Sequence, residues 1–318
     1  MAILVLPLKG QSLIANGGFE EYSVCPHAAT MLWLAQPWQG NSIGTPLDIP
    51  GTADLIHACH QGVIVGVPQS IYGKHYPHSG KGMAGIGIAL YSNTSLGNYE
   101  YLKTQLLEPL QAGKKYCFKM WIKYSDTSSH AFDKLGVAFF DYDYKQSDGR
   151  IKVKPYFETE SNFVLSDTSW ALVKFNFIAN GLEEYLMIGQ FNKYENLVVK
   201  RTSNNNFPWV DGAMLYLLDD ISLELCIIPT LVIPNVFTPD KNGQYDFFTV
   251  TFENIESLSI TIFNRWGEEV FNSQNLDFAW DGTSNGSPLA EGVYFVVAEA
   301  VGVNGEQLVE KQTLHLFR

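Results

Sequence analysis

Short apolar runs that alternate with polar residues recur along the whole chain, separated by Gly, Asn and Asp. The clearest is Lys115–Tyr124, in which Lys115, Lys119 and Lys123 are predicted to face solvent. A period of two residues is typical of a β-strand with one buried face. Similar signals predict further strands at 83–90, 171–178, 214–225, 257–262, 292–298 and 312–317. Strong helical patterns are missing, so the sequence predicts an all-β protein of antiparallel sandwiches.

The composition supports this prediction and excludes several classes of function. Of the 318 residues, 46% are hydrophobic, 14% aromatic and only 17% charged, and bulky side chains pack well on a pleated surface. The net charge of −12 argues against nucleic acid as a partner, because such binding needs clustered Lys and Arg. No apolar run reaches the roughly 20 residues of a transmembrane helix.

The chain is predicted to have two domains. A break is expected where two prolines flank an apolar run, in Cys226–Pro234. Residues 1–12 are typical of the end of a secretory signal peptide, with a first strand as the alternative. This gives a larger domain at 13–227, a connector at 228–232 and a smaller domain at 233–318. In the smaller domain Leu258, Ile260 and Ile262 are expected on one buried face, and its rhythm fits an immunoglobulin-like β-sandwich.

Four cysteines permit either disulfides or a metal site. An even number in an exported chain favours two disulfides, with three connectivities available. Zinc is the alternative, because Cys25 and His27, and His57, Cys59 and His60, lie close together in sequence. We expect the pairs Cys25–Cys59 and Cys117–Cys226. The first clamps an irregular N-terminal stretch, and the second joins two predicted strands.

The last segment resembles the type-B sorting domain of the type IX secretion system, also called the gliding-motility-associated C-terminal domain. The resemblance runs in order through the whole domain and rests on Pro234, Asn235, Phe237, Thr238, Pro239, Asn264, Arg265, Trp266, Gly267, Trp280, Asp281, Gly282, Gly292 and Tyr294. It implies handling by the type IX secretion machinery, export, and a place on the outer cell surface or in the medium. One departure is that Asp240–Asp246 is less acidic than is usual in the family. On residue type alone, Trp266 and Trp280 are expected to cap a small core, and Asp281 to satisfy turn amides.

The larger domain resembles the module that often precedes such sorting domains, itself similar to galactose-binding-like and carbohydrate-binding jelly rolls. The matching stretches are 13–21, 52–59, 100–116, 188–191 and 219–224. The resemblance implies a jelly-roll β-sandwich but does not determine a ligand, since fold and function separate easily. It also implies that the two ends of the domain meet and hold a structural Ca²⁺, with Glu20 and Asp220 as side-chain ligands. The alternatives are that both acids only cap turns, or that Asp219 points inward instead.

For the larger domain the sequence favours a binding module over an enzyme. Trp33, Trp38 and Trp209 lie near predicted loops and are candidates for stacking against sugar rings, whereas Trp121 is expected in the core. The acid pairs Glu183–Glu184, Asp141 with Asp143, and Glu20–Glu21 do not offer the facing carboxylates of a glycosidase. His75 and His78 are expected to be solvated in a loop. The partner is a glycan or a surface protein, and structural or adhesive roles, or activity on glycans, are the alternatives.

Overall fold

The computed structural model describes residues 11–41, 52–92, 95–145, 150–160, 169–202 and 213–318. The chain divides into two compact units, residues 1–226 and 227–318. This division lies beside the connector predicted at 228–232. Most of the predicted signal remnant, together with Trp209, lies outside the described residues.

Two antiparallel sheets form the N-terminal unit. In spatial order the first contains β1 (Gln39–Asn41), β7 (Tyr101–Gln105), β13 (Tyr185–Gly189), β10 (Gly136–Phe140) and β11 (Phe157–Glu158). The second contains β12 (Ala171–Ile178), β8 (Lys115–Tyr124), β15 (Ala213–Leu225), β5 (Gly82–Ser92) and β2 (Asp54–His57), and β6 (Ser95–Tyr99) pairs with β5. Short pairs are β3 (Gln69–Ser70) with β4 (Gly73–Lys74) and β9 (His130–Phe132) with β14 (Val199–Arg201). Single 3₁₀ turns occur at Leu32–Leu34 and Tyr194–Asn196. The unit is a jelly-roll β-sandwich.

The core lies between the two sheets. In β8 the alternating residues Tyr116, Phe118, Met120, Ile122 and Tyr124 are buried, which confirms the predicted strand. They meet apolar side chains of β7, β10 and β13 in one continuous cluster. The alternation read from the sequence therefore sets which face of the sheet is buried.

The outer faces of both sheets are partly covered as well. Val65 and Tyr72 pack on Ile56, Met83 and Leu217 of the second sheet. On the first sheet, Ile151 and Val153 pack with a second apolar cluster formed by Tyr99, Tyr101, Ala138, Phe140, Met187 and Phe191. Each sheet is therefore packed on both of its faces over part of its area.

Both predicted disulfides occur in the structure. Cys25 is joined to Cys59, and Cys117 is joined to Cys226. The second links β8 to the chain just after β15, where Glu224 is the cross-strand neighbour of Cys117. With their sulfurs in disulfides, these cysteines do not form the alternative zinc site.

The C-terminal unit is an immunoglobulin-like sandwich. Its main sheet has the order β17 (Val236–Phe237), β24 (Gln307–Leu316), β23 (Gly292–Gly302), β19 (Ile255–Phe263) and β20 (Glu269–Ser273), with β17 and β24 parallel. Smaller pairs are β16 (Thr230–Val232) with β18 (Thr251–Glu253) and β21 (Thr283–Ser284) with β22 (Ser287–Pro288). Leu258, Ile260 and Ile262 are buried together, as predicted. Nowhere in the described ranges is a helix long and apolar enough to span a membrane.

Candidate functional site

Three acidic side chains from the two ends of the N-terminal unit hold the loop 78–82. Glu20 Oε1 accepts hydrogen bonds from the backbone N–H groups of Lys81 (2.8 Å) and Gly82 (2.9 Å). Asp219 Oδ2 accepts from the N–H groups of His78 (2.7 Å) and Ser79 (3.2 Å). Gly80 has φ +60°, and a Cβ there would lie 2.2 Å from Glu20 Oε1, so the loop passes this close only as glycine.

Asp220 holds the same loop through side chains. Its Oδ1 accepts a hydrogen bond from Ser79 Oγ at 2.8 Å, and its Oδ2 lies 2.6 Å from Nδ1 of His78. A β-bulge at Asp219–Ser222 and the positive φ of Asp220 (+47°) break the strand alternation, so both neighbouring acids reach one loop. Sequence reasoning missed this bulge.

Asp219 rather than Asp220 is the buried acid. Asp219 is fully buried, and burial together with the charge of Asp220 raises the pKa of the Asp219 carboxyl to about 7, although three backbone N–H bonds oppose the shift. This agrees with the alternative reading in which Asp219 points inward.

The three acids lie close together where the two ends of the unit meet. A Cβ on Gly18 would lie within 4 Å of side-chain atoms of Glu20, Asp219 and Asp220, so the two ends of the unit do meet. An oxygen of each acid accepts a hydrogen bond from an N–H or O–H group of the loop 78–82. Within the described ranges, no group of three or more His, Cys, Asp or Glu side chains is placed to hold a metal ion. Ca²⁺ bound by Glu20 and Asp220 stays a prediction.

The tryptophans are not placed as the sequence predicted. Trp38 is fully buried, packs 5.1 Å from the ring of Phe19, and donates a hydrogen bond from Nε1 to the Asn16 carbonyl. The prediction that Trp38 offers a ring face to a ligand is therefore wrong. Trp33 is 37% exposed and remains accessible. Trp121 was expected in the core but is half-buried on the outer face of the second sheet, because its position in β8 alternates with the core residues.

The two loop histidines also differ from the prediction. His75 is buried, with Nε2 3.3 Å from Asp126 Oδ1. The imidazole of His78 stacks on Trp121 and meets Trp170 edge-on at 6.0 Å. Neither histidine is freely solvated, because His75 is buried beside Asp126 and His78 lies against two indole rings.

A pair of acids near β2 and β7 is removed from water. Asp54 accepts hydrogen bonds from Tyr72 Oη and the Thr30 N–H, and Glu100 accepts from Thr52 Oγ1 and the Gly87 N–H. Burial raises the pKa of Asp54 to about 6. Burial and the nearby charge of Asp54 raise the pKa of Glu100 to about 8.

Basic side chains line a groove at the rim of the first sheet. In the segment 150–155, Ile151 and Val153 pack into the apolar cluster, whereas Arg150, Lys152 and Lys154 alternate with them and face the groove. Lys193 and Asn192 lie on the other wall, and the cavity has a volume of about 450 Å³. The Ile151 N–H donates to Tyr101 Oη (3.0 Å) and the Arg150 guanidinium donates to the Phe191 carbonyl, so the segment is anchored to the sheet. We call this surface the basic groove.

In the C-terminal unit most motif residues build the core and its turns. Phe237, Trp280 and Tyr294 are buried, Trp280 Nε1 donates to the Thr283 carbonyl (2.8 Å), and Tyr294 Oη donates to the Ala290 carbonyl (2.7 Å). Asp281 Oδ1 accepts from both the N–H and Oγ1 of Thr283. The predicted roles of Trp280 in the core and of Asp281 in the turn are confirmed.

Trp266 does not cap the core. It is 72% exposed in the turn between β19 and β20, with the Arg265 guanidinium 4.7 Å from the centroid of its indole ring. Trp280 is buried in the core beside its turn, whereas Trp266 is exposed. The prediction that Trp266 caps the core is therefore wrong. Residue type could not separate the two tryptophans.

Comparison with known proteins identifies one of the two units. Residues 231–316 match the CHU_C type IX secretion signal domain. No curated protein matches the chain.

Similar solved structures show only weak likenesses. The K1 cleaved adhesin domain of Lys-gingipain from Porphyromonas gingivalis W83 is 11% identical (66% of this chain, 96% of that chain, TM-score 0.32). The CBM22-1 xylan-binding domain of Xyn10C from Paenibacillus barcinonensis is 14% identical (68% and 96%, TM-score 0.31). The enzymatically active domain of tailspike protein 4 from bacteriophage CBA120 is 10% identical, and this chain covers 21% of it (68% of this chain, TM-score 0.33). Likenesses of this size carry no argument about the ligand.

The match and the structure agree on the C-terminal unit. The aromatic core, the turn at Asp281–Gly282 and the turn at Asn264–Gly267 between β19 and β20 all fall inside the matched residues. Residues 231–316 are therefore a type IX secretion signal domain, and the chain is a secreted or cell-surface protein.

Proposed function

We propose that the N-terminal unit is a non-catalytic binding module for acidic glycans, displayed outside the cell by the C-terminal secretion signal. The observation that carries the proposal is the basic groove. The groove presents Arg and Lys side chains on a segment that is hydrogen-bonded to the sheet, and the Asn192 amide on its other wall. Such groups bind carboxylate or sulfate groups on a sugar chain.

The spacing of the cations suits an extended ligand. Arg150, Lys152 and Lys154 lie two positions apart, with one residue between neighbours, which in an extended chain is about 6.5 Å per step. Their acidic neighbours are engaged: Glu195 lies 3.4 Å from Lys193, and Glu158 accepts a hydrogen bond from Asn192. Four basic and two acidic side chains line the groove, so the row Arg150, Lys152 and Lys154 gives it a positive excess on a chain with a net charge of −12. Such a row favours an anionic ligand over a neutral one.

The acids considered for catalysis support a non-catalytic role. Glu183 is fully buried and accepts hydrogen bonds from Tyr156 Oη and from the N–H groups of residues 180–182. Asp143 pairs with Lys103, and Glu20 holds the loop 78–82. Each of these three carboxylates has partners within the fold, which supports the proposal of a binding module.

The test is a glycan array probed with the full chain, using uronate-bearing, sulfate-bearing and neutral polysaccharides at two salt concentrations. We expect binding to the acidic polymers that weakens as salt rises, because exposed charges are screened. The double variant Lys152→Gln/Lys154→Gln should bind about tenfold more weakly or worse. The matched control is Lys174→Gln, an exposed lysine of β12 away from the groove.

Two results would overturn this proposal. Salt-independent binding to neutral glycans would move the site to the aromatic side chains, with Trp33 as the accessible candidate. A silent array, combined with binding to a surface protein, would support the adhesive alternative instead.

A further inference from the structure

The turn that joins β19 to β20 presents a tryptophan and an arginine on a rigid tip. Asn264 Oδ1 accepts hydrogen bonds from the N–H groups of Trp266 (3.0 Å) and Glu268 (3.0 Å). Its Nδ2 donates to Glu268 Oε2 at 2.7 Å. Gly267 has φ +81°, a conformation that other residues rarely adopt. The tip is therefore held in one shape by its own side-chain and backbone bonds.

Folding gives no reason for an indole at this position. Trp266 is 72% exposed and belongs to no apolar cluster of the unit, whereas Trp280 is 2% exposed at its centre. An indole left in water does not gain the stabilisation that burial of a large apolar side chain provides. A polar residue would complete the same turn, so the indole indicates a contact outside this chain.

Arg265 is one of four basic residues in the unit. After residue 226 the basic residues are Lys241, Arg265, Lys311 and Arg318, among many more Asp and Glu. Arg265 stacks on Trp266, which holds its guanidinium at the tip. Trp and Arg are the residue types that most often dominate binding energy at protein interfaces, and preorganised side chains lose less entropy on binding.

We propose that the Arg265–Trp266 tip is the contact by which the export machinery binds the secretion signal domain. The partner surface it fits is an apolar slot for the indole with carboxylates at its rim for the guanidinium. This inference rests on export through the C-terminal domain and goes beyond it by assigning the recognition to two residues.

Export of full-length variants from a host with a type IX system tests the inference. The proteins are Trp266→Ala, Arg265→Ala, Arg265→Glu and, as a matched control, Tyr245→Ala, whose side chain is 76% exposed in the same unit. We expect the exported fraction of Trp266→Ala to fall about tenfold or more, with a melting temperature within about 2 °C of the parent. Arg265→Glu should be exported less than Arg265→Ala, and Tyr245→Ala should be exported normally.

Several outcomes would overturn the inference. Normal export of Trp266→Ala would do so, as would equal losses for Trp266→Ala and Tyr245→Ala, or a loss accompanied by a clear drop in melting temperature. Equal export of Arg265→Glu and Arg265→Ala would exclude the carboxylate rim. A chain that lacks residues 227–318 tests the secretion signal assignment separately from the role of the Arg265–Trp266 tip. If this deletion variant is exported normally, the assignment of the whole domain as the secretion signal fails, and not only the role of the tip.

Discussion

The imidazole of His78 lies parallel to the indole of Trp121, with ring centroids 3.8 Å apart and an interplanar angle of 15°. His78 belongs to the loop held by Glu20, Asp219 and Asp220, and Trp121 lies in β8 beneath it. The stack and the contact between His78 Nδ1 and Asp220 Oδ2 close the covering segment onto the second sheet. The loop is therefore held from both sides, by the acids and by the sheet.

Replacement of His78 should loosen this loop. We expect His78→Ala to lower the free energy of unfolding by about 1–2 kcal/mol, because it removes an aromatic stack and a side-chain hydrogen bond. Tyr76→Ala, at a position 62% exposed, is the control and should change stability by less than about 0.5 kcal/mol. Denaturant unfolding measures both. Equal values for the two variants would contradict the role of the stack.

Stability should fall as the pH rises from about 4 to about 8. The carboxyl groups of Asp54, Asp219 and Glu100 have pKa values of about 6, 7 and 8, against ordinary values of 3.8, 3.8 and 4.5. For these three groups the folded state binds more protons than the unfolded chain across this window, so each rise in pH favours unfolding. Burial lowers the pKa of His57 and His75, and these two groups oppose the fall in stability below about pH 6.5. Melting temperatures measured between pH 5 and pH 8.5 should decrease.

Glu100→Gln isolates one of these groups. Glutamine keeps an acceptor for the Gly87 N–H but does not ionise, so the fall in melting temperature above pH 6 should become shallower. Glu195→Gln, an exposed acid that is 69% accessible, is the control and should leave the slope unchanged. A slope that Glu100→Gln does not alter would mean that other groups control the pH dependence.

The two disulfides should contribute unequally. Cys25 and Cys59 are 34 residues apart, and Cys117 and Cys226 are 109 apart. In the chain-entropy model the longer loop stabilises by about 1 kcal/mol more. Cys117→Ser/Cys226→Ser should therefore destabilise the chain more than Cys25→Ser/Cys59→Ser. The reverse order in denaturant unfolding would show that strain or residual structure outweighs loop entropy. Mass mapping of a non-reduced digest checks the pairing itself.

Calcium at Glu20 and Asp220 predicts a melting temperature that depends on the ion. If the cation displaces the donors of the loop 78–82, added Ca²⁺ should raise the melting temperature by several degrees and a chelator should reverse the change. Glu20→Gln should abolish the response. A melt that neither Ca²⁺ nor chelator shifts would mean that the N–H and O–H donors alone satisfy these acids.

Residues 227–318 should be necessary and sufficient for export. Fusion of this unit to a fluorescent reporter should carry the reporter across the outer membrane in a type IX host, and deletion of it should retain the parent protein inside. Trp280→Ala in the fusion should also block export, because loss of a buried indole costs about 3–5 kcal/mol in a small domain. Cell fractionation measures all three proteins. A reporter that stays inside would show that the unit is not sufficient.

The local sequence pattern was enough to predict much of the fold, but it predicted only part of the candidate binding sites. The alternation in Lys115–Tyr124 predicted the strand and its buried face, and the order of motifs from Pro234 to Tyr294 predicted the secretion signal domain. The tryptophans show where such reasoning ends. Trp38, Trp121 and Trp266 all lie near strands or turns in the sequence. In the structure Trp38 is buried, Trp121 is half-buried and Trp266 is exposed.

The sequence by itself determined the most regular strands and the identity of the C-terminal domain, because these depend on the hydrophobic period and on ordered motifs along the chain. It predicted the two disulfide pairs, with the other connectivities and zinc left open as alternatives. Only the tertiary structure decided that Asp219 is the buried acid, that Lys152 and Lys154 line a groove, and that Trp266 is exposed. These facts depend on a β-bulge and on irregular segments that pack across distant strands. Such contacts join residues far apart in the chain, and no local pattern specifies them.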